Sequence, residues 1–410
     1  MTISWKKLNN LTQSFGDSFY IIDLAQFTSN YQNFLKAFQT IYPKSQIAYS
    51  YKTNYTPRLC QLAEEMKGYA EVVSGMEYEL ALRIGVAPER IIFNGPYKQK
   101  ADFERAILNH SIVNIDSAYE VQHICALSNQ YPQKMIRVGI RCNFVLATES
   151  PSRFGFDINK ANFQTSIETL RNLPNCKIIG IHCHFLPPER SAESYRKIAQ
   201  RMIKLALTEF AQDALEFVDL GGGFFSAMPI ELQQQFSYPI PTFSDYGDAI
   251  AGEFKAAFPD NKGPELILEP GIALTADTMK FITKIRDIKT QGEHHIALAA
   301  ASRYDIKPTL SHRNLPAAVF PAPDSGSHQQ GVFDIVGSTC MEDDILHHNY
   351  SGQLGVNDYI VFDNVGAYTN VLRPPFINFA SPILSINAQE NIEIIRRRET
   401  LNDIFSTYTF

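Results

Sequence analysis

A chain of 410 residues with 45% apolar and 20% charged side chains can bury a sizeable core, and its length predicts two or three domains. A formal net charge of −6 supplies no positive field of the kind that draws proteins to nucleic acid or anionic lipid, so neither partner is expected and small molecules are. Six cysteines scattered without a CxxC pair predict reduced thiols. The polar N-terminus and the absence of any run of roughly 18 apolar residues predict a soluble, cytoplasmic protein with no membrane partner.

From about residue 24 to 274, short runs rich in Ile, Val and Phe alternate with longer amphipathic segments, the rhythm of a parallel α/β fold. Strands are predicted at 45–51, 69–74, 90–95, 111–116, 135–142, 177–185, 217–223 and 265–270. Helices are predicted between them, among others at 56–68, 75–85, 101–110 and 193–212, where apolar residues recur every three or four positions. This order predicts a closed (β/α)8 TIM-type barrel over residues 28–274. Beyond residue 275 the segments MKFITKIRDIKT, DYIVFDNV and NIEIIRRRET alternate in polarity between Pro- and Gly-rich turns. They predict a mostly antiparallel β-sandwich or β-barrel domain built from residues 1–27 and 275–410.

The ends of the barrel strands collect Lys52, Ser74, Arg141, His184, Gly221, Gly222, Gly223, Glu269 and Gly271. In such a barrel these ends converge on one mouth, where catalytic residues sit. Taken alone, Lys52 reads as a solvated surface lysine or as an amine at that mouth. The three glycines can curl their N–H groups around a phosphate or simply make a tight strand-to-helix turn. Glu269, turned inward by Pro270-Gly271, needs a partner, which is either a protonated pyridine nitrogen or a lysine or arginine. His184 offers a flat imidazole for stacking on a ring, and His182 on the same face reads as a hydrogen-bonded core histidine. With no cysteine or carboxylate at zinc spacing, no metal is expected. Cys340 by itself is one thiol in a polar turn.

In order and spacing, AYSYKTN, EVVSGMEYELALRIGVAPERIIFNGPYK, NIDSAYEV, SRFGF, GIHCHF, VDLGGGF, LEPG, GSTCMEDDIL, NVGAYT and RRRETLNDIF resemble the fold type III, alanine racemase-like pyridoxal-phosphate decarboxylases. The likeness runs nearly the whole chain and is to the branch of diaminopimelate and ornithine decarboxylases. The resemblance implies pyridoxal 5'-phosphate held as a Schiff base on Lys52 and ring stacking by His184 with Arg141 supporting it. It also implies phosphate contacts from Gly221, Gly222, Gly223 and Tyr368 and a pyridine contact from Glu269; Ser74 and Gly271 are assigned to the cofactor as well. It further implies a homodimer in which the segment carrying Cys340 reaches into the second subunit's site and helps return a proton to Cα, a kind of transfer that contributes ~10² to 10⁴ in rate.

Departures from the family pattern fall on substrate recognition. Ile272 stands where the branch has arginine, Phe185-Leu186-Pro187 where it has a serine-bearing turn, and Met341 where a carboxylate follows the cysteine. Glu342 and Asp343 then grip a distal amine from a shifted position, Lys307 replaces an arginine before proline, and Arg153 is a candidate carboxylate clamp. The expected activity is decarboxylation of a diaminopimelate-like diamino or carboxyl-bearing amino acid, in a siderophore, polyamine or polysaccharide pathway. The alternatives are a racemase of the same cofactor class and a catalytically silent regulatory homologue. The segments CMEDDIL and GAYT speak against the first, and the retention of Lys52, Glu269, Cys340 and Tyr368 against the second.

Overall fold

The computed structural model describes residues 4–146, 152–292, 294–323 and 328–410. The chain divides into two compact units: Thr28–Phe225 with Tyr238–Leu274, and Met1–Phe27 with Ser226–Ser237 and Thr275–Phe410.

After a first strand, β1 (Ser18–Ile22), that belongs to the second unit, strands β2 (Ser45–Ser50), β3 (Tyr69–Val72), β4 (Ile91–Phe93), β5 (Ile112–Ile115), β6 (Ile136–Asn143), β7 (Phe156–Asp157), β8 (Cys176–His182), β9 (Phe217–Asp219) and β10 (Glu265–Leu268) follow with helices between them. Every pairing is parallel, β5 joins β6 and β10 joins β2, so the ring closes through eight strands, with the short β7 attached to β6. The expected strand at 217–223 ends at Asp219, beyond which Gly221 and Gly223 adopt positive φ. Four of the surrounding helices, Gly75–Arg83, Ala118–Gln130, Ala192–Thr208 and Phe243–Ala257, begin on Ser74, Ser117, Ser191 and Thr242, whose hydroxyls accept a first-turn N–H.

Because side chains alternate along a strand, every second residue points into the barrel. Ala48, Ile92, Ile179, Phe217 and Ile267 meet there as a buried apolar layer. One inward step further along β2, β4, β9 and β10, toward and just past their C-terminal ends, stand Ser50, Asn94, Asp219 and Glu269, joined by Glu71 of β3, all buried and all polar. The barrel is thus closed from within by an apolar layer beneath a polar one, the arrangement that places a site at the C-terminal face.

In the second unit, β11 (Met279–Gln291), β12 (His294–Ala299), β13 (Ala317–Phe320), β14 (Gln329–Val336), β15 (Ile345–Leu354), β16 (Tyr359–Phe362), β17 (Ile383–Ile386) and β18 (Ile392–Arg396) join β1 in a mostly antiparallel sheet. Only β1 with β17 and β12 with β14 run parallel among the described residues. Leu8, Leu11, Phe19, Ile21, Ile282, Tyr359, Val361 and Leu384 form its apolar core. No helix among the described residues is long and apolar enough to cross a membrane.

Candidate active site

Lys52 lies in a single turn, Tyr51–Thr53, directly after β2. Its ammonium forms an ion pair with Glu71, whose side chain is 1% exposed against 30% for the lysine. Ser50 Oγ donates to the same carboxylate oxygen at 2.7 Å. Gly271 packs so closely on Thr53 that a Cβ at position 271 would lie 2.0 Å from Thr53 Oγ1, so glycine is required for the β10 loop to approach the lysine turn.

Glu269 is held from several sides. Asn94 Nδ2 donates to its Oε1 at 2.5 Å, His182 Nε2 lies 3.3 Å from the same oxygen, and His184 Nδ1 lies 3.8 Å from Oε2. Burial by itself pushes the Glu269 carboxyl up, but the electrostatic pull of His182 and of the Lys52 ammonium outweighs it and holds the group well below the usual carboxylate range. Asp219, fully buried next to it, behaves oppositely: burial first, and then the Glu269 charge, push its carboxyl well above the ordinary value. One nitrogen of His182 and one oxygen each from Asp219 and Glu269 lie within 4.8 Å of one another. The two neighbouring acids are thus driven in opposite directions, Glu269 toward its ionised form and Asp219 toward its protonated form.

His184 Nδ1 accepts the Gly222 N–H at 2.9 Å, which leaves Nε2 to carry the ring hydrogen. Desolvation lowers this histidine to about 3, so the imidazole is neutral near pH 7. The Gly221 N–H goes to Asp219 Oδ1 at 2.9 Å, so two of the three glycine donors serve the protein itself. Among the described residues Gly223 is the one of the three whose N–H has no acceptor within the chain. A Cβ at position 223 would come within 2.9 Å of Leu186, in the loop where the family pattern has its serine.

The other expected barrel residues have local partners. Ser74 accepts the Glu77 N–H as a helix cap, and Ser74→Ala is expected to cost about 1 kcal/mol of unfolding free energy. A loss that grows when pyridoxal phosphate is added, measured by thermal melting, marks a further contact of this hydroxyl with the cofactor. Arg141 pairs with buried Asp116 at 3.0 Å, and it is this aspartate, not His184, that receives its hydrogen bond. The exposed Arg153 and the buried Arg141 lie over the Phe154 ring at 4.1 and 4.7 Å.

Tyr368, Lys307, Cys340, Glu342 and Asp343 all belong to the β unit. Cys340 is an exposed free thiol, Glu342 is exposed, and Tyr368 adopts a left-handed φ of 56°. Asp343 accepts from Arg303 Nη1 at 2.7 Å. Buried Asp344 organises this region: it accepts from Ser302 Oγ and the Arg303 N–H on one side and from the Thr339 N–H and hydroxyl on the other. The cysteine turn and the Arg303 turn are thereby fastened together. Sequence reasoning missed Glu71, Asn94, Asn114, Asp219, Arg303 and Asp344. The available signal was a polar residue at an inward strand position or in an otherwise turn-like run.

The parallel barrel sets an amine, an acid held ionised and a neutral imidazole around one mouth, groups suited to an aldehyde-bearing, basic aromatic cofactor. These residues fit pyridoxal phosphate: Lys52 would hold the aldehyde, Glu269 the pyridine nitrogen, His184 the ring face and the Gly223 N–H the phosphate.

Comparison with known proteins agrees. Residues 24–276 match the family model described as pyridoxal-dependent decarboxylase, pyridoxal binding domain. The chain is 26% identical to the diaminopimelate decarboxylase of Aquifex aeolicus over 97% of this chain and 93% of that one. It is 27% identical to a probable chloroplastic diaminopimelate decarboxylase of Oryza sativa subsp. japonica, over 94% and 78%. In fold it is similar to the diaminopimelate decarboxylase of M. jannaschii solved with L-lysine, with a TM-score of 0.83 at 22% identity over 98% and 94% of the two chains. It is also similar to the arginine decarboxylase of Paramecium bursaria Chlorella virus, with a TM-score of 0.72 at 20% identity over 91% and 97%. The chain belongs to the pyridoxal-dependent decarboxylases. Its cofactor is pyridoxal phosphate and its reaction the decarboxylation of an amino acid.

Proposed function

We propose that this decarboxylase acts on a diaminopimelate-like amino acid carrying a second carboxylate, as a cytoplasmic homodimer with the cofactor on Lys52. One observation carries the substrate class. Lys307 is 5% exposed and Arg303 7%, and the two cations are close enough that Arg303, after burial, helps to lower Lys307 to about 8. Asp343 answers Arg303, whereas Lys307 has no carboxylate partner among the described residues, and Arg303 Nε is buried without an acceptor. Buried positive charge in excess of its counter-charge calls for an anion. The relatives that carry the name diaminopimelate decarboxylase supply a matching ligand chemistry, an amino acid with a carboxylate at each end.

When bound, pyridoxal phosphate supplies an electron sink for the pair left behind by departing CO₂. Glu269 would hold the pyridine nitrogen as its cation, and burial drives Asp219 toward its neutral form beside it. His184 lies as a neutral plate that its Gly222 bond prevents from turning. Lys52 would hold the cofactor's aldehyde, and when its amine is free and protonated Glu71 pairs with the ammonium. Cys340 delivers a proton to Cα from the partner subunit.

The test is a panel of diamino acids, with and without a distal carboxylate, assayed for CO₂ release with pyridoxal phosphate present. Substrates with the second carboxylate are expected to react, and Lys307→Met to raise their KM about 10- to 100-fold with a smaller change in kcat, the worth of one charge-assisted hydrogen bond. In the wild type the same KM is expected to rise as pH passes about 8, because a lysine with a lowered pKa loses its charge there. Equal turnover of substrates lacking the distal carboxylate overturns the substrate class.

A further inference from the structure

We propose that Asn94 is a positioning residue that yokes Glu71 to Glu269, making the carboxylate at the amine end and the carboxylate at the pyridine end of the site one hydrogen-bonded unit. The proposal rests on the cofactor reading above and deepens it.

Two carboxylates, 1% and 3% exposed, face one another across the top layer of the barrel, where like charges in a poorly solvated interior repel. Asn94, 3% exposed and one residue past β4, stands between them. Its single amide nitrogen donates to Glu71 Oε1 at 3.1 Å and to Glu269 Oε1 at 2.5 Å, so both amide hydrogens are engaged by carboxylates. The amide cannot turn over, because Asn114 Nδ2 donates to Asn94 Oδ1 at 2.8 Å and assigns that oxygen as the acceptor. Asn114 owes its position to a missing side chain: a Cβ on Gly139 would fall 1.8 Å from Asn114 Oδ1. Four strands, β3, β4, β5 and β6, and the β10 loop therefore converge on one amide.

The consequence is directional. When Lys52 exchanges with a substrate amine, the charge facing Glu71 changes, and a shared donor passes that change on to Glu269 by polarisation. An apolar residue of the same size would fill the space and break the link. The titratable groups facing this position are Glu71 and Glu269 in direct contact, Lys52 on Glu71, and His182, His184 and Asp219 around Glu269.

The experiment measures the dissociation constant of pyridoxal phosphate by absorbance between pH 6 and 9 for the wild type, Asn94→Asp and Asn94→Leu, with melting curves of each cofactor-free protein. Asn94→Asp keeps the shape but sets a third carboxyl between two others, so its proton is retained to unusually high pH and, while retained, still donates one hydrogen bond. Its affinity relative to wild type is expected to be near normal at the low end and to fall by at least about tenfold toward the high end, the equivalent of one pKa unit. Asn94→Leu is expected to bind weakly at every pH, with no such slope. An Asn94→Asp to wild-type ratio that is flat with pH, or an Asn94→Leu protein that binds like wild type, overturns the proposal. Borohydride trapping of wild type separates the two levels of inference. Failure to label Lys52 sinks the cofactor reading and this proposal together, whereas normal labelling with a flat ratio sinks only the role of Asn94.

Discussion

Lys52→Ala is expected to abolish reductive trapping of pyridoxal phosphate and to reduce CO₂ release by more than about 10³-fold, since the tethered amine works at an effective concentration that free amine in solution does not reach. In the wild type, borohydride followed by peptide mass analysis should place the added mass on Lys52 and on no other lysine. The fold should survive the substitution. Losing one partner of a fully buried ion pair costs about 3–5 kcal/mol, but Lys52 is 30% exposed, and Glu71 keeps its hydrogen bonds from Ser50 and Asn94, so a smaller loss is expected. The same variant tests subunit sharing. If Cys340 serves the partner's site, mixing inactive Lys52→Ala with inactive Cys340→Ala should restore about a quarter of wild-type activity, because random exchange makes half the dimers hybrid and gives each hybrid one intact site. Full activity of Lys52→Ala, or trapping on a different lysine, would overturn the assignment of the reacting amine.

The barrel was legible because its signal is repeated and local: eight apolar runs of strand length, each followed by an amphipathic segment, leave few other topologies. Lys52, His184 and Glu269 were legible because they stand just past apolar strands, where a polar residue breaks the pattern. Glu71 and Asp219 lie inside strands, in YAEV and FVD, and a lone acid flanked by apolar neighbours reads as an ordinary alternation until the closed ring turns all such positions toward one axis. Asn94 and Asn114 were illegible for a further reason, since an amide's role depends on which atoms it meets across strands. Ser74 shows the reverse: a strand-end serine read as a cofactor contact also begins a helix, and the local N–H of Glu77 takes up its acceptor. The excess positive charge at Arg303 and Lys307 depends on burial, and composition has no access to that.

Glu269→Gln is expected to lower kcat/KM by about 10²-fold or more, the usual cost of removing one preorganised charge from a site of this kind. Glutamine fits the same space and can still accept from Asn94, so a loss of this size isolates charge from packing. The neighbouring acid then changes state. In the wild type, burial and the Glu269 charge together keep the Asp219 carboxyl well above its usual range. With that charge gone, Asp219 titrates at lower pH and, once ionised, places a negative charge in the same cluster as His182. The sign follows: residual activity of Glu269→Gln should rise with pH as Asp219 loses its proton, a dependence that wild type lacks because its own carboxylate is already ionised. Adding Asp219→Asn to Glu269→Gln should flatten that rise and leave only the lower activity. Measured as kcat/KM against pH for both variants, a Glu269→Gln enzyme within threefold of wild type would show that the buried carboxylate does not sustain the electron sink. A pH slope that persists in the double variant would show that Asp219 is not the proton carrier.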